Sequence, residues 1–150
     1  MDTKSSARAI AHYIVDKCTI DGALISNLQL HKMMYLIQFA YCKAYQDFLF
    51  NEEFEAWQYG PVLPEIYDEF SFYGGTCIQK QFPQEEFIRI SDFDKRLIDG
   101  AVTVLRQRSP WDLVNITHQP GWPWEIIWDE GRGNHKVIPN SLIMDKATYD

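Results

Sequence analysis

Cysteine is scarce in this sequence and badly spaced for cross-linking: Cys18, Cys42 and Cys77 are odd in number and far apart. No CxxC pair or zinc-finger spacing occurs. That excludes a disulfide framework or a zinc ribbon and points to reduced thiols packed as small hydrophobes. Long apolar runs are missing too, and none approaches the ~20 residues of a membrane span. The opening residues, Met1 to Ser6, are polar and carry no cleavable apolar leader. Together these absences predict a cytoplasmic protein with no membrane partner. Basic charge is the next deficit. Against 21 Asp and Glu stand 14 Lys and Arg, a net charge of −7, whereas a protein that grips phosphates needs a basic face. The nearest basic cluster is Arg106 with Arg108. No nucleic acid is therefore expected as a partner, and the field favours a basic protein surface instead.

The signatures of catalysis are absent as well. A phosphate-cradling P-loop, a GxGxxG turn, a GxSxG elbow and an HExxH zinc motif do not occur. His12, His31, His118 and His135 are scattered. His12 and Asp16 lie one helical turn apart, but a metal needs three or four converging ligands, so a solvated pair on a helix face is expected. Thr117-His118, just before a proline corner, offers a general base without a nucleophile, and a histidine hydrogen-bonding the helix end is the expected role. Glu52-Glu53 and Glu85-Glu86 are adjacent residues that point different ways, which predicts solvated surface. Gly131-Arg132-Gly133 reads as a flexible connector. The expectation is a non-enzyme with no catalytic residue, no metal and no cofactor.

What is present is core material. A content of 46% hydrophobic and 15% aromatic residues fills a sizeable interior, and the length predicts one domain over residues 1–150. Ala7, Ile10, Ala11, Ile14 and Val15 fall at helical spacing and predict a first helix from about Ser6 to Cys18, ended by Asp21-Gly22. Ser26-Asn27-Leu28-Gln29 reads as a capping box opening a second helix with a stripe of Leu30, Met33, Met34, Ile37, Tyr41 and Ala44. Leu36, Phe39 and Ala40 widen that stripe, which predicts a central position.

Beyond Asn51 the period changes. Phe54-Glu55-Ala56-Trp57 alternates like a short strand, Gly60-Pro61 turns the chain, and Pro64 with Glu65 suits a helix start ended by Gly74-Gly75. Phe87, Ile88 and Ile90 suggest a further short strand. Ser91 or Asp92 caps a fourth helix, and Ser109-Pro110 starts a fifth that ends near His118. Pro120-Gly121-Trp122-Pro123 forms a corner before a helical turn through Trp128. A small strand is expected at His135 to Ile138, then a helix from Leu142 to Thr148 capped by Asn140. The sum is a mainly α protein bordering on α+β, a compact single-domain helical bundle with a few short strands.

Aromatic rings crowd the proline corners. Phe54, Trp57 and Tyr59 precede Gly60-Pro61, and Trp122, Trp124 and Trp128 surround Pro123. Most such rings pin turns onto helices, yet Trp and Tyr also dominate binding hot spots. The partner-binding candidates are Trp57, Tyr59, Pro61, His118, Trp122 and Trp124. Tyr59 and Trp122, beside turn residues, come first among them.

Three blocks carry a family pattern. They are Asn27 through Tyr35, the segment Phe54-Glu55-Ala56-Trp57-Gln58-Tyr59-Gly60-Pro61-Val62 with Pro64, Ile66 and Tyr67 after it, and Leu113 through His118 followed by Pro123-Trp124. In these blocks the chain resembles the Panacea domain family of SocA-like antitoxins and prophage-associated proteins. Met33-Met34 stands where a leucine pair is usual, a volume-conserving change. The resemblance implies a largely helical domain that neutralises a protein toxin encoded beside it. It transfers no catalytic residue. Some relatives add a DNA-binding segment, for which this length leaves no room. The alternative is a phage or prophage adaptor that binds a host factor or presents a client to a protease or chaperone. A hydrolase using His118 or His12 is a third reading.

Overall fold

The computed structural model describes residues 4–149, so the first three positions of the polar opening lie outside them. It is mainly α, with seven α-helices and five short strands among the described residues. The first helix, α1 (Ala7–Ile20), starts where Ser6 Oγ accepts the Ala9 N–H at 3.0 Å and ends at the expected Asp21-Gly22 turn. Its apolar stripe is buried as the spacing predicts. A two-residue strand, β1 (Ile25–Ser26), leads directly into α2 (Asn27–Tyr45). There the capping box forms in full: Ser26 Oγ accepts from Gln29 N at 3.2 Å, and Gln29 Oε1 accepts from Ser26 N at 2.8 Å.

Helix α2 is the central element, touching α1, α3, α4, α5, α7 and the strands around it. Leu30, Met33, Met34 and Ile37 are buried, each contributing about 1.5–3 kcal/mol of transfer free energy. Tyr41 is half-buried, and Ala40 and Ala44 face outward. The buried face turns out to be partly polar, because His31, Lys32 and Gln38 are also inside.

Strands β2 (Glu55–Trp57) and β3 (Gly60–Val62) form a hairpin with Ala56 opposite Pro61, and β5 (Lys136–Val137) pairs with the other edge of β2. The turn is therefore Gln58-Tyr59, two residues earlier than the sequence suggested, and Gly60-Pro61 opens the returning strand. Proline is tolerated there because β3 is an edge strand. Helix α3 (Pro64–Glu69) begins at Pro64 and runs into a 3₁₀ turn, Ser71–Tyr73, before Gly74.

The strand expected around Ile88 does not form. Gln84–Phe87 is a 3₁₀ turn, with Phe87 and Ile90 buried and Ile88 exposed. The strand partner of β1 is instead β4 (Cys77–Ile78). Helices α4 (Asp92–Leu105) and α5 (Pro110–Thr117) are capped by Ser91 and Ser109. Helices α6 (Pro123–Trp128) and α7 (Asn140–Tyr149) complete the chain. The N-terminus of α7 is held by Glu53 Oε2, which accepts the Asn140 N–H at 2.7 Å.

Several polar residues expected on the surface are structural. His12 is only 2% exposed. Its Nε2 meets Glu69 at 2.6 Å, its Nδ1 meets Glu86 at 3.0 Å, and Phe82 stacks on its ring. One turn on, buried Asp16 accepts the Phe82 N–H at 2.8 Å and a Gln84 side-chain N–H. The pair read as solvated is thus a strap binding the segment after β4 to α1. Glu52 Oε2 likewise accepts the Ala7 N–H at 3.0 Å, so Glu52, Glu53 and Glu86 all tie segments together. Gly133, read as part of a loose connector, is buried, and its N–H donates to Trp128 O at 2.9 Å. A Cβ there would run into the Ile127 carbonyl, so only glycine fits. The three cysteines are free; Cys18 and Cys42 are buried, and burial pushes the Cys42 thiol up to about 11.

Gln38 shows how the centre is wired. Its amide N–H donates to Phe50 O and its Oε1 accepts the Leu49 N–H, both at 2.8 Å and both buried. Gln38→Leu strips a buried donor and a buried acceptor of their partner, at about 1–3 kcal/mol each. Urea denaturation should show a loss of about 2–4 kcal/mol, and an unchanged midpoint would refute this role. His31 gives a pH signature. Its ring nitrogens meet Asn27 O at 2.8 Å and Leu63 O at 3.2 Å, but complete burial outweighs both carbonyls and holds its pKa down at about 4. Between the unfolded value near 6.5 and about 4 the unfolded chain binds a proton that the folded chain refuses. Stability is thus fully present above that window and falls as pH falls through it, by on the order of 2–3 kcal/mol. His31→Gln should flatten this fall in denaturation curves taken across the window; an unaltered slope would contradict the assignment.

Candidate partner-binding corner

The three sequence blocks meet at one place, and Trp124 joins them. Pro123 occupies the first position of α6, so Trp124 sits in its first turn with a backbone N–H that has no helical acceptor. That N–H donates to the Tyr35 hydroxyl at 3.1 Å, while the indole Nε1–H donates to the Trp57 carbonyl at 2.9 Å. Tyr35 comes from α2 and Trp57 from β2. The edge of Phe54 packs against the Tyr35 ring at 5.5 Å, and burial drives the Tyr35 hydroxyl pKa upward.

The other face of the corner is the end of α5. His118 is its C-cap; the backbone N–H donates to Val114 O at 2.9 Å. The ring does not bond the helix end as expected. It lies flat on Trp124 at 3.7 Å between centroids, with 9° between planes. Trp128 stacks beyond, at 5.5 Å from Trp124. His118 Nε2 is buried and has no hydrogen-bond partner. Burial, and then the charge of Lys32, outweigh the Tyr59 backbone, which raises the His118 pKa, and hold it down at about 4, which adds to the same acid-sensitive window as His31.

Lys32 completes the corner. It projects from α2 with only 4% of its surface exposed. Burial lowers its pKa to about 8, and among the described residues no hydrogen bond or ion pair reaches its Nζ. Gly60 lies against it with φ at +131°, a conformation that L side chains rarely adopt.

Of the six candidate residues, Pro61 and Trp124 are buried, Trp57, His118 and Trp122 are half-buried, and Tyr59 at the hairpin tip is 62% exposed. Trp57 donates from its indole to Glu55 at 3.0 Å and stacks on His135 at 4.4 Å. Trp122 sits slightly apart, packed on Phe39 at 4.7 Å with the Lys146 ammonium 5.1 Å above its ring. Lys32 and Tyr35 lie inside a family block but are not among the six candidates. The signal was there: a lysine between buried Leu30 and Met33 on a helix that faces the core.

Beside the hairpin runs a groove of about 660 Å³ whose walls include Glu52, Glu53, Glu55, Glu65 and Glu69, with Leu63 and Ile66 among its apolar lining. Arg8 is the one cation in that lining. Among the described residues no three His, Cys, Asp or Glu side chains are grouped to hold a metal, and no helix is long and apolar enough to cross a membrane.

Known proteins are similar to this chain over most of its length. The family described as "Antitoxin SocA-like, Panacea domain" matches residues 30–125, which takes in Lys32, Tyr35, the hairpin, His118 and Trp124. The antitoxin SocA of Caulobacter vibrioides is 33% identical over 153 residues, covering 96% of this chain and 80% of that protein. A titin homolog of Caenorhabditis elegans is 33% identical over 69 residues, which is 43% of this chain but 0% of that protein, a share that supports no functional argument. No solved structure matches. The chain belongs to the Panacea-domain family of SocA-like antitoxins.

Proposed function

We propose that this protein is the antitoxin of a toxin–antitoxin pair and that it neutralises a protein toxin, encoded next to it, by direct contact rather than by catalysis. The observation that carries the reading is the convergence of the three family blocks on one braced corner whose outermost ring is Tyr59. A tyrosine held at a rigid hairpin tip offers large contact area at little entropy cost. In this account Tyr59 and Trp122 touch the toxin. Trp57, Pro61, His118 and Trp124 fix the backbone that presents them. The glutamate-lined groove beside the hairpin favours a basic surface on the toxin, steers its approach, and makes association weaken as salt rises.

Co-expression with the product of the neighbouring gene tests the pairing: that product should arrest growth alone and be tolerated with this protein present. A neighbour harmless on its own, or equally lethal in both settings, would sink the reading. Recovery of protease or chaperone subunits in place of a toxin would favour an adaptor. Within the pair, Tyr59→Ala should weaken binding by roughly 30-fold, about 2 kcal/mol, the loss typical of a hot-spot ring. Its thermal midpoint should not move, because the ring is mostly in solvent. Unchanged affinity would remove Tyr59 from the interface.

A further inference from the structure

Two polar groups in the corner are left without partners, and both border the same small gap. Lys32 as a residue is 4% exposed; its Nζ reaches solvent at the edge of the corner and has no counter-ion among the described residues. His118 Nε2 is buried and makes no hydrogen bond. Gly60 shows where they converge. A methyl placed on its Cα would sit 3.6 Å from Lys32 Nζ, 3.6 Å from His118 Nε2 and 3.5 Å from Lys32 Cε. Those are ordinary van der Waals contacts, so a single added atom fits against Lys32 and His118, and φ at +131° disfavours any side chain at position 60 filling that place.

Buried polar groups in native proteins are almost always paired, and among the described residues His118 Nε2 is not, with the Lys32 ammonium beside it. An atom at that point borders both nitrogens at 3.6 Å. The ammonium can only donate, and the imidazole donates from Nε2 in one of its neutral tautomers. Two converging donors, one of them charged, call for an acceptor that carries negative charge.

We propose that Lys32 and His118 form a binding site for a single compact oxyanion, one oxygen of a carboxylate or phosphate, received over the bare Cα of Gly60. The flat stack of His118 on Trp124 holds the imidazole in place, and the two N–H bonds of Trp124 hold the stack. The overall charge of −7 does not prevent this, because the Lys32 ammonium borders the gap itself and exposed charges elsewhere are screened over about 8 Å at physiological salt. The site stands independently of the antitoxin reading: an anion site can exist whether or not the neighbouring gene encodes a toxin.

The test is a titration of the intact protein with sodium acetate and with sodium phosphate at neutral pH, against sodium chloride at matched ionic strength. The His118 ring nitrogens and the Lys32 ε-methylene are followed by NMR. A saturable shift of both groups is expected with at least one of the two oxyanions and not with chloride. Lys32→Met should weaken it by about tenfold or more, since it removes the ammonium that borders the gap. His118→Phe, which keeps a ring on Trp124, should also weaken binding while the Lys32 signal still reports it. Saturation by phosphate alone identifies a free phosphate as the occupant, and saturation by acetate as well identifies a carboxylate of a protein partner. Either supports the site. Signals that stay fixed, that follow chloride equally, or that respond undiminished in Lys32→Met would assign the gap to a bound water and overturn the proposal.

Discussion

The corner depends on one side chain satisfying two obligations at once. Trp124 is buried with two N–H groups, and neither can be left bare in an apolar setting without a cost of about 1–3 kcal/mol. Its backbone N–H finds the Tyr35 hydroxyl on α2, and its indole finds the Trp57 carbonyl on β2. Once both bonds are made, the central helix, the hairpin and α6 have one mutual placement, and the indole face becomes the platform on which His118 lies. The exposure of Tyr59 and the unfilled gap over Gly60 both follow from that placement.

The same economy governs the polar interior of α2. His31 faces the Leu63 carbonyl just before α3, and Gln38 takes both a donor and an acceptor from the chain after the helix. Each buried polar residue of α2 thus fixes a stretch of irregular backbone that secondary structure alone would leave free. Lys32 differs from them, since nothing in the described chain meets its charge, and it stands beside the buried, unpaired Nε2 of His118 and the bare Cα of Gly60.

The helices were legible because their signals are local. Ser6, Ser26, Ser91 and Ser109 each cap the helix that their spacing announces, and Pro64, Pro110 and Pro123 each open one. What failed was long-range. Ile88 reads as a strand residue beside Phe87 and Ile90, but an exposed 3₁₀ turn wins because α1 straps that segment through His12 and Asp16. Those two read as solvated because helical periodicity says nothing about Glu69, Glu86 and Phe82 arriving from elsewhere in the chain. Gly133 read as loose because a missing Cβ signals freedom and close approach alike, and only the Ile127 carbonyl decides between them. The corner was half legible. Its aromatic residues stood out, whereas Lys32 and Tyr35 lay inside a helical stripe that looked purely like core.

A protein that acts by direct contact loses less affinity when its surface is already fixed, because ordering a loop on binding subtracts from affinity. In this protein the fixing is done by Trp124. Hydrogen exchange at individual amides in Trp124→Phe, which keeps an aromatic ring and removes only the indole donor, measures that directly. Exchange at Gln58, Tyr59 and Gly60 should quicken by about tenfold or more while the middle of α1 and α2 keeps its protection. Hairpin amides exchanging as slowly as in the parent protein would contradict the account.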